Sequence, residues 1–307
     1  MERHYLFIVN PNAGNSKVGK DWIRIEKILQ KRAVKYKAML TTQAGHASEI
    51  ISEELQMGYK TIVVVGGDGT LNEVVNGIFH QNLVPPEQIK LGIIPVGTGN
   101  DWARYYNLPR KYNKALDRIF NLTTHFQDVG RLRYAYNGKE TISYFVNISG
   151  FGFDAVVVNS TNEMQERGNR ASITYLFSLL RCLFSYKAEE ISLVIKDKHI
   201  RQKIFSLSIG NGKYSGGGMR QTPDAIINDG IFDVTLYDDM PVWKIIFNLH
   251  KLYNGKIKSL NTVKTFRTSK LMVYNNNKPL LAEIDGELIK GTQFEIENLP
   301  SALQVMV

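Results

Sequence analysis

The stretch TIVVVGGDGTLNEVV, residues 61–75, decides the fold of the first half of the chain. Its β-branched start, Thr61–Val65, predicts a buried strand. Apolar residues then recur at helical spacing from Leu71 to Ile78. Between the two patterns lies a glycine turn, Gly66–Gly69, with too few Cβ atoms to obstruct the close approach of a ligand to the backbone. The stretch therefore predicts a strand, a glycine turn and a helix.

The glycine turn also predicts an anion site, because the start of a helix offers free N–H groups and the positive end of the helix dipole. Asp68 within the turn would repel a phosphate unless a cation lies between them. A divalent metal held beside a nucleotide is therefore the natural interpretation. The alternative is a tight turn in which Asp68 only caps a loop. Thr70 and Glu73 are spaced as a capping box, which would fix the first residue of the helix.

Composition indicates a globular protein without disulfides. The chain has 307 residues, 43% hydrophobic and 22% charged, which is enough for two ordinary domains or one large one. Its single cysteine, Cys182, lies in an apolar run that indicates a packing role. No uncharged apolar run approaches the roughly 18 residues that cross a bilayer, and the first residues lead into a strand pattern rather than a signal peptide. We expect a cytoplasmic protein, at most associated peripherally with a membrane.

The positive charge is concentrated in two segments. The formal net charge is +9, and Lys17–Lys37 holds eight Lys or Arg residues against two acids. Lys244–Lys270 holds seven and no acid. Such patches suit phosphate-rich partners, although a solvated helix face is the alternative. From charge alone, we expect the second segment to contact an anionic membrane surface. Nucleic acid is not an expected partner, because zinc-finger spacing and RNA-recognition signatures are absent.

Strand and helix patterns alternate through residues 1–125, which predicts an α/β domain with a parallel sheet covered on both faces. Right-handed crossovers place the loops after parallel strands at one edge of the sheet. We therefore expect four loops to meet on one rim, at residues 10–16, 41–45, 66–70 and 96–101.

Strand patterns dominate residues 126–307, which predicts a mainly antiparallel β-sandwich whose last strand is free to pack on the first domain. Two helices interrupt it, at Ala171–Phe184 and Val242–Leu252. The predicted strands are Val129–Tyr136, Thr141–Ile148, Ile191–Ile195, Ile204–Ile209, Ile231–Tyr237, Leu271–Tyr274, Leu280–Ile284, Phe294–Glu297 and Leu303–Val307.

A second glycine loop, Val96–Asp101, resembles the first in type, with two glycines around a hydroxyl and a carboxylate after them. Arg104 follows Asp101 by one helical turn. The two loops together would place Asp68 and Asp101 near one cation, with Arg104 reaching a transferred phosphate. Asn10–Gly14 forms a third polar loop, whose backbone N–H groups suit phosphate oxygens.

Two acidic motifs mark the second half. Asp224, Asp229 and Asp233 are dense enough to hold a hard cation with help from carbonyl groups, although their spacing favours a turn. Asp285-Gly286 is by itself a hairpin signal. Glu287 after it is either a surface residue or a general base.

Taken together, these motifs resemble the diacylglycerol kinase catalytic-domain family, and most of all the soluble bacterial lipid kinases related to eukaryotic diacylglycerol and sphingosine kinases. The resemblance covers essentially the whole chain. The glycine–aspartate loop alone is shared with NAD kinases and phosphofructokinases, whereas the four elements together are specific. These elements are GGDGTLNE at 66–73, PVGTGND at 95–101, Asp229-Gly230 and Asp285-Gly286-Glu287.

The resemblance implies an ATP-dependent lipid kinase that uses Mg²⁺ and converts diacylglycerol to phosphatidic acid. Asp68 would act on the Mg²⁺ of the nucleotide, with Asp101, Arg104 and Asp128 in a charged network around the reaction centre. A basic residue near the first loop also matters in this family, and both Lys17 and Lys20 are candidates. The implied ATP-binding set is Asn10, Pro11, Asn12, Ala13, Gly14, Thr41, Gly66, Gly67, Asp68, Gly69, Thr70, Leu71, Asn72 and Thr98.

In the second domain, the resemblance implies a structural Mg²⁺ near Asp229, with the backbone at Phe232 and Val234 as further ligands. Glu287 would receive the proton of the lipid hydroxyl. Since neither half carries both a phosphate cradle and a candidate base, the active site is expected in the cleft between the domains. The aromatic and apolar candidates for a lipid pocket are Phe151, Phe153, Tyr175, Phe177, Leu180 and Phe184.

Three alternatives stay open. In the first, the acceptor is another lipid, such as a sphingoid base, monoacylglycerol or phosphatidylglycerol. In the second, the chain is an NAD kinase, which the Asp285-Gly286-Glu287 element disfavours. In the third, the chain is a non-enzymatic regulator that binds lipid or nucleotide, which is disfavoured by the presence of Asp68, Asp101, Asp229 and Glu287. The sequence also leaves a homodimer open.

Overall fold

The computed structural model describes residues 4–97, 99–121, 123–166 and 181–307, apart from the side chains of Asn15 and of residues 162–166. It divides the chain into two compact units, which we call the first and second unit. The first unit comprises Met1–Val129 together with Leu299–Val307, and the second comprises Gly130–Asn298. The chain therefore returns to the first unit for its last nine residues.

The first unit is built on a parallel sheet, as the sequence predicts. Its strands are β1 (Tyr5–Val9), β2 (Tyr36–Leu40), β3 (Thr61–Gly66) and β4 (Lys90–Pro95), in the order β2-β1-β3-β4. The end of the long strand β15 (Gln293–Met306) pairs in parallel with β4, where Gln304 lies opposite Lys90. The helices are α1 (Ala13–Lys31), α2 (His46–Gln56), α3 (Asp68–His80), α4 (Asp101–Tyr105) and α5 (Tyr112–Phe120).

The strands of this sheet end at nearly the same level. Val9 of β1 lies opposite Leu40 in β2 and Val65 in β3, and Gly66 lies opposite Pro95 in β4. The central strands β1 and β3 are almost entirely apolar and buried, as expected where helices cover both faces of a parallel sheet, whereas the outer strand β2 contains Lys37 and is only partly buried. Their level ends bring the loops that follow them to one edge, as expected.

The second unit is a mainly antiparallel β-sandwich around one hydrophobic core. Phe145, Phe151, Phe232 and Phe294 are fully buried in that core. The strands run in the order β14-β13-β7-β9-β8-β12-β15, while β10 pairs with β9 and β11, and β5 pairs with β6. The strands are β5 (Thr124–Tyr136), β6 (Lys139–Phe145), β7 (Ile148–Gly152), β8 (Glu189–Ile195), β9 (Lys198–Gly210), β10 (Phe232–Asp238), β11 (Val263–Thr268), β12 (Lys270–Tyr274), β13 (Leu280–Ile284) and β14 (Glu287–Gly291).

The second unit also contains the helices α6 (Phe153–Glu166) and α7 (Val242–Asn254). The sequence predicts α7 but not α6. Most of the helix predicted at Ala171–Phe184 lies outside the described residues, as do Tyr175, Phe177 and Leu180, whereas 181–185 is helical. Within the part of the chain that the structure describes, no helix combines the length and the hydrophobicity needed to cross a membrane.

Four sequence predictions about elements are wrong in detail. The first loop is shorter than 10–16, because α1 begins at Ala13. The predicted strand Thr141–Ile148 is two strands, β6 and β7. The two strands predicted after Phe294 are one, β15. The short strands β11 and β14 escape prediction, since charged residues interrupt their apolar pattern.

Candidate active site

Three loops of the first unit touch one another at the carboxyl edge of its sheet. The side-chain amide of Asn10 donates to the Thr70 hydroxyl at 2.9 Å, which joins the first loop to α3. The two glycine loops are closer still, because a Cβ on Gly97 would lie 2.9 Å from the Cα of Gly67. Gly14 has a φ of +61°, and a Cβ there would lie 2.9 Å from the Val96 carbonyl oxygen. Side chains at these glycines would force the loops apart.

Asp68 connects the two glycine loops. Its carboxylate accepts the backbone N–H of Asp101 at 3.2 Å and that of Trp102 at 3.4 Å. Removal from solvent raises the pKa of Asp68, the negative charge of Asp101 raises it further, and the backbone donors oppose both effects. A carboxylate has about four lone-pair positions, so these two hydrogen bonds leave acceptor capacity for a cation.

Asp101 and Arg104 form an ion pair beside this junction. The guanidinium Nε of Arg104 lies 3.4 Å from the Asp101 carboxylate, and its Nη2 donates to the Gly99 carbonyl at 3.4 Å. The Arg104 side chain is 37% exposed, whereas that of Asp101 is 7% exposed. The Arg104 guanidinium therefore reaches solvent, while the Asp101 carboxylate fixes its Nε end. An arginine held in this way suits an anionic oxygen.

Asn100 holds the second loop in a left-handed conformation, with a φ of 50°. Its amide nitrogen donates to the Gly97 carbonyl at 2.7 Å. Its Oδ1 is buried and has no hydrogen-bond partner among the described residues. A buried acceptor without a donor costs free energy, which a donor on a bound ligand would recover. Thr98, predicted to bind the nucleotide, lies outside the described residues.

Buried hydrogen bonds to the side chain of Gln127 connect α4 to the interior of the first unit. Trp102, 1% exposed, donates from its ring nitrogen to Gln127 at 2.9 Å. The Tyr106 hydroxyl donates to the same oxygen at 2.9 Å, and burial raises the pKa of Tyr106. Asp128 is fully buried and accepts the Ser301 N–H at 2.8 Å. Asp128 therefore lies in the packed interior of the first unit.

The first loop is followed by an open, strongly basic groove of about 580 Å³. Lys17 lines this groove and Lys20 does not, although both side chains are exposed. Asp21 is the acid of the groove, and it accepts the Tyr112 hydroxyl at 2.6 Å. Lys17 is therefore the better candidate for a phosphate contact. The other cations that line the groove are Arg24, Arg110, Lys111 and Lys114.

The capping box predicted for Thr70 and Glu73 is wrong. Helix α3 begins at Asp68 and has no side-chain cap. Glu73 instead accepts the Ala47 N–H at 3.2 Å, at the start of the neighbouring helix α2. The reason is that the first N–H groups of α2 also lack partners. Thr70 accepts from Asn10 as described above.

The remaining residues of the implied nucleotide set lie along the same edge. The Thr41 N–H donates to the Val9 carbonyl at 2.9 Å, directly after β2. Leu71 is 1% exposed and Asn72 is 4% exposed, so their side chains are part of the packed interior. Gly66 is buried at the end of β3. The residues of the implied nucleotide set that are exposed or partly exposed are Pro11, Asn12, Ala13, Gly67 and Gly69.

In the second unit, Asp285 and Gly286 form the predicted hairpin turn between β13 and β14. Both have positive φ, 48° and 92°, as a two-residue hairpin turn of this type requires. The Asp285 carboxylate accepts three consecutive backbone N–H groups, from Val146 at 2.8 Å, Asn147 at 3.0 Å and Ile148 at 3.0 Å. Glu287, the first residue of β14, is exposed beside this anchored turn.

Sequence reasoning misses a pair of carboxyl groups next to the turn, formed by the buried Glu283 and the partly buried Asp154. Glu283 is 6% exposed and accepts the Gly286 N–H at 2.9 Å. A Cβ on Gly150 would lie 2.9 Å from a Glu283 oxygen and 3.0 Å from an Asp154 oxygen, so both carboxyl groups face the same side of that glycine. The only signal in the sequence is an acid inside the apolar strand LLAEI.

Burial dominates the electrostatics of this pair. It raises the pKa of Glu283 well above its usual range, and the charge of Asp154 adds to the effect. Burial also raises the pKa of Asp154 to about 6, although hydrogen bonds from Ser206, Ser208 and Gln221 oppose the shift. We therefore expect the pair to hold a proton at slightly acid pH.

Asp154→Asn should flatten the pH dependence of stability. An acid whose pKa is raised on folding stabilises the fold fully at low pH, and this contribution is lost as the pH rises through its folded pKa, about 6. The loss amounts to roughly 3 kcal/mol between about pH 4 and pH 7. Urea denaturation across this range should show a loss that is about 3 kcal/mol smaller in the variant than in the parent protein, because the raised pKa of Glu283 still contributes in the variant. The exposed Asp197 gives a control, Asp197→Asn. Parallel pH profiles for the parent protein and Asp154→Asn would contradict this expectation.

Near the predicted structural metal site, protein cations balance the acids. Arg267 donates to Asp229, and its Nε lies 3.5 Å from Asp233, whose pKa is raised by burial. Phe232 and Val234 lie inside the ladders of β10. Among the residues that the structure describes, no three His, Cys, Asp or Glu side chains cluster to hold a metal. The carboxylate oxygens of Asp229 and Asp233 therefore fit Mg²⁺ poorly while they are paired with the Arg267 cation.

Phe151 and Phe153 are packing residues rather than an open pocket. Phe151 is fully buried and meets Phe294 edge-on at 5.1 Å. Phe153 stacks on Phe205 at 4.7 Å. Phe184 is 68% exposed.

A parallel α/β unit with three converging polar loops, together with a β-sandwich unit, defines the class of two-domain kinases with a glycine–aspartate loop. Residues 4–132 match the model of the diacylglycerol kinase catalytic domain. Residues 147–307 match the model described as the YegS C-terminal NAD kinase beta sandwich-like domain. The chain belongs to the diacylglycerol-kinase-like family of lipid kinases that carry this C-terminal domain.

Relatives of similar length support this assignment. YtlR of Bacillus subtilis (strain 168), named for an assumed lipid kinase activity, is 28% identical over 98% of this chain and 99% of its own. A YegS-like protein of Yersinia pestis (strain Pestoides F), named in the same way, is 28% identical over 98% of this chain and 96% of its own.

Solved structures confirm the fold. The crystal structure of an assumed diacylglycerol kinase from Bacillus anthracis str. Sterne has a TM-score of 0.76 at 22% identity, covering 99% of this chain and 96% of that one. Yeast NADH kinase complexed with NADH is more distant, with a TM-score of 0.57 at 10% identity, covering 99% of this chain and 83% of that one.

Proposed function

We propose that the protein is an ATP-dependent lipid kinase that transfers the γ-phosphoryl group to a lipid hydroxyl, with diacylglycerol as the acceptor. The observation that carries the proposal is the junction of the glycine loops around Asp68. This junction brings together the partly buried carboxylate of Asp68, the Arg104 side chain that reaches solvent, and glycine backbone that a ligand can approach closely. Phosphoryl transfer requires this combination of positioning and charge stabilisation.

In this mechanism the first unit holds the nucleotide. The loop after β1 and the glycine turn offer backbone N–H groups to the phosphates. Lys17 and Arg104 stabilise negative charge on the phosphate oxygens. Asp68 would hold a Mg²⁺ that accompanies the nucleotide, and this cation would supply stabilisation of the negative charge on the phosphate groups. This metal position fits, because the carboxylate of Asp68 keeps acceptor capacity beside a second acid, Asp101.

The second unit supplies the base. The lipid hydroxyl oxygen forms a bond to the γ-phosphorus, the bond from that phosphorus to the bridging oxygen breaks, and ADP leaves with its electron pair. Glu287 takes the hydroxyl proton. Its place at an anchored hairpin turn supports this role, since Asp285 fixes the turn by three hydrogen bonds.

Phosphate transfer to lipid tests the proposal directly. Purified protein is incubated with labelled ATP, Mg²⁺ and a mixed lipid extract, and the labelled species is identified. We expect label in phosphatidic acid, formed from diacylglycerol. Label in another lipid would contradict the choice of diacylglycerol as acceptor but support the proposed lipid kinase activity. NAD serves as the competing soluble acceptor, and labelled NADP without labelled lipid would overturn the proposal.

A further inference from the structure

Helix α7 turns an apolar face outwards. None of its residues is buried. Trp243 is 63% exposed, Phe247 73% and Tyr253 56%, with Ile246 at 40%. At 100° per residue these four side chains fall on one side of the helix. A surface helix of a soluble protein has its apolar stripe on the opposite side, towards the core. We call this side of α7 the aromatic face.

The charges around the aromatic face are positive. From Val242 to Lys270 the sequence holds no acid. Lys258, Lys264 and Arg267 form ion pairs with acids elsewhere in the second unit. In the described ranges, Lys244, Lys251 and Lys256 have no ion pair.

Lys244 and Lys251 lie roughly 90° around the helix from Trp243, which places them along one border of the aromatic face. The Lys244 ammonium donates to a neutral partner, the amide oxygen of Asn261, at 3.4 Å. Long basic side chains at the border of an apolar stripe are typical of helices that lie in a membrane interface.

We propose that the aromatic face of α7 docks on an anionic membrane surface, with Trp243, Ile246 and Phe247 in the acyl boundary and the lysines on lipid phosphates. A second copy of the chain fits less well. The four exposed side chains offer about 500 Å², short of the ~800 Å² per partner that a standard interface buries. A symmetric contact would also bring like charges together.

This surface does not depend on the identity of the acceptor, because binding to vesicles is measured without ATP. A kinase with a lipid acceptor would gain from it, since docking concentrates the enzyme where its substrate lies. Failure of docking and failure of lipid phosphorylation are therefore separate results.

The chain carries its own reporter for this contact. It has three tryptophans. Trp22 is 8% exposed and Trp102 is 1% exposed, whereas Trp243 is 63% exposed. A change in the surroundings of tryptophan on docking will therefore come mainly from Trp243. Entry of its ring into the acyl boundary shifts its emission to shorter wavelength.

The test titrates the full chain with vesicles of phosphatidylcholine, alone or in equal parts with phosphatidylglycerol. We expect a blue shift of tryptophan emission with the anionic vesicles, weakened by added salt, and quenching by brominated acyl chains. Phe247→Ser should weaken binding about tenfold, and Lys244→Gln with Lys251→Gln should weaken it by roughly the same factor at low salt. Ile23→Ser and Met57→Ser, at exposed apolar positions of the first unit, should leave binding unchanged.

Three results would overturn the proposal. The first is an emission spectrum that vesicles do not change. The second is equal binding to neutral vesicles at all salt concentrations. The third is a blue shift without lipid that grows with protein concentration alongside a doubled mass in sedimentation, which would assign the aromatic face to a second copy. Circular dichroism of each variant confirms its fold, and loss of structure in Phe247→Ser would make the aromatic face a packing surface, against the proposal.

Discussion

Asp68→Asn is expected to lower turnover with ATP and a lipid acceptor by about 10³-fold while leaving thermal stability unchanged or slightly higher. The neutral amide cannot replace the negatively charged carboxylate as a ligand to the proposed Mg²⁺. In the ligand-free protein, however, the carboxylate is costly to hold, because it is partly buried and lies close to Asp101. The amide removes that cost, which offsets the loss of one hydrogen bond from the start of α4.

The measurement pairs steady-state kinetics with a thermal melt. A matched control is Asp117→Asn, since Asp117 is an exposed acid of α5, with a side chain 54% exposed and paired with Arg32. It should change turnover less than about twofold. If Asp68→Asn retained activity within tenfold of the parent protein, the assignment of Asp68 to the nucleotide site would fail. If the loss of activity in this variant were fully explained by a loss of folded protein, Asp68 would have a structural role only.

Glu287→Gln is expected to reduce kcat by about 10²–10⁴-fold, the usual contribution of a positioned base. Glutamine has the same shape and cannot take a proton from the lipid hydroxyl. The KM for ATP should change little, because the proposed nucleotide contacts all belong to the first unit. The turn itself should persist, since Asp285 keeps its three backbone hydrogen bonds in this variant.

A suitable control is Glu140→Gln, at an exposed glutamate of β6 in the same unit. Its kcat should match that of the parent protein. Full turnover by Glu287→Gln, in a preparation where Asp68→Asn is inactive, would remove Glu287 from the mechanism.

The sequence predicts the first unit well because its signals are local. Each polar loop directly follows an apolar strand, and parallel strands deliver such loops to one edge. The contacts that hold the loops together are not local. The bonds from Asp101 and Trp102 to Asp68 span 33 and 34 residues, and no spacing rule reveals them.

The same distinction explains the misses. Glu73 matches a capping box by spacing, but a neighbouring helix offers it an unpaired N–H. The break between β6 and β7 comes from Asp285, whose bonds to 146–148 reach across 137 to 139 residues. Helix α6 escapes prediction because Val156, Val157 and Val158 form a β-branched run.

The return of the chain along β15 makes the second unit an insertion within the first. The strand beside β4 is the end of β15, where Leu303, Val305 and Met306 are fully buried. During synthesis, the sheet of the first unit therefore lacks this strand until the whole β-sandwich has left the ribosome. In that state the first unit exposes an unpaired strand, which is a target for chaperones and proteases.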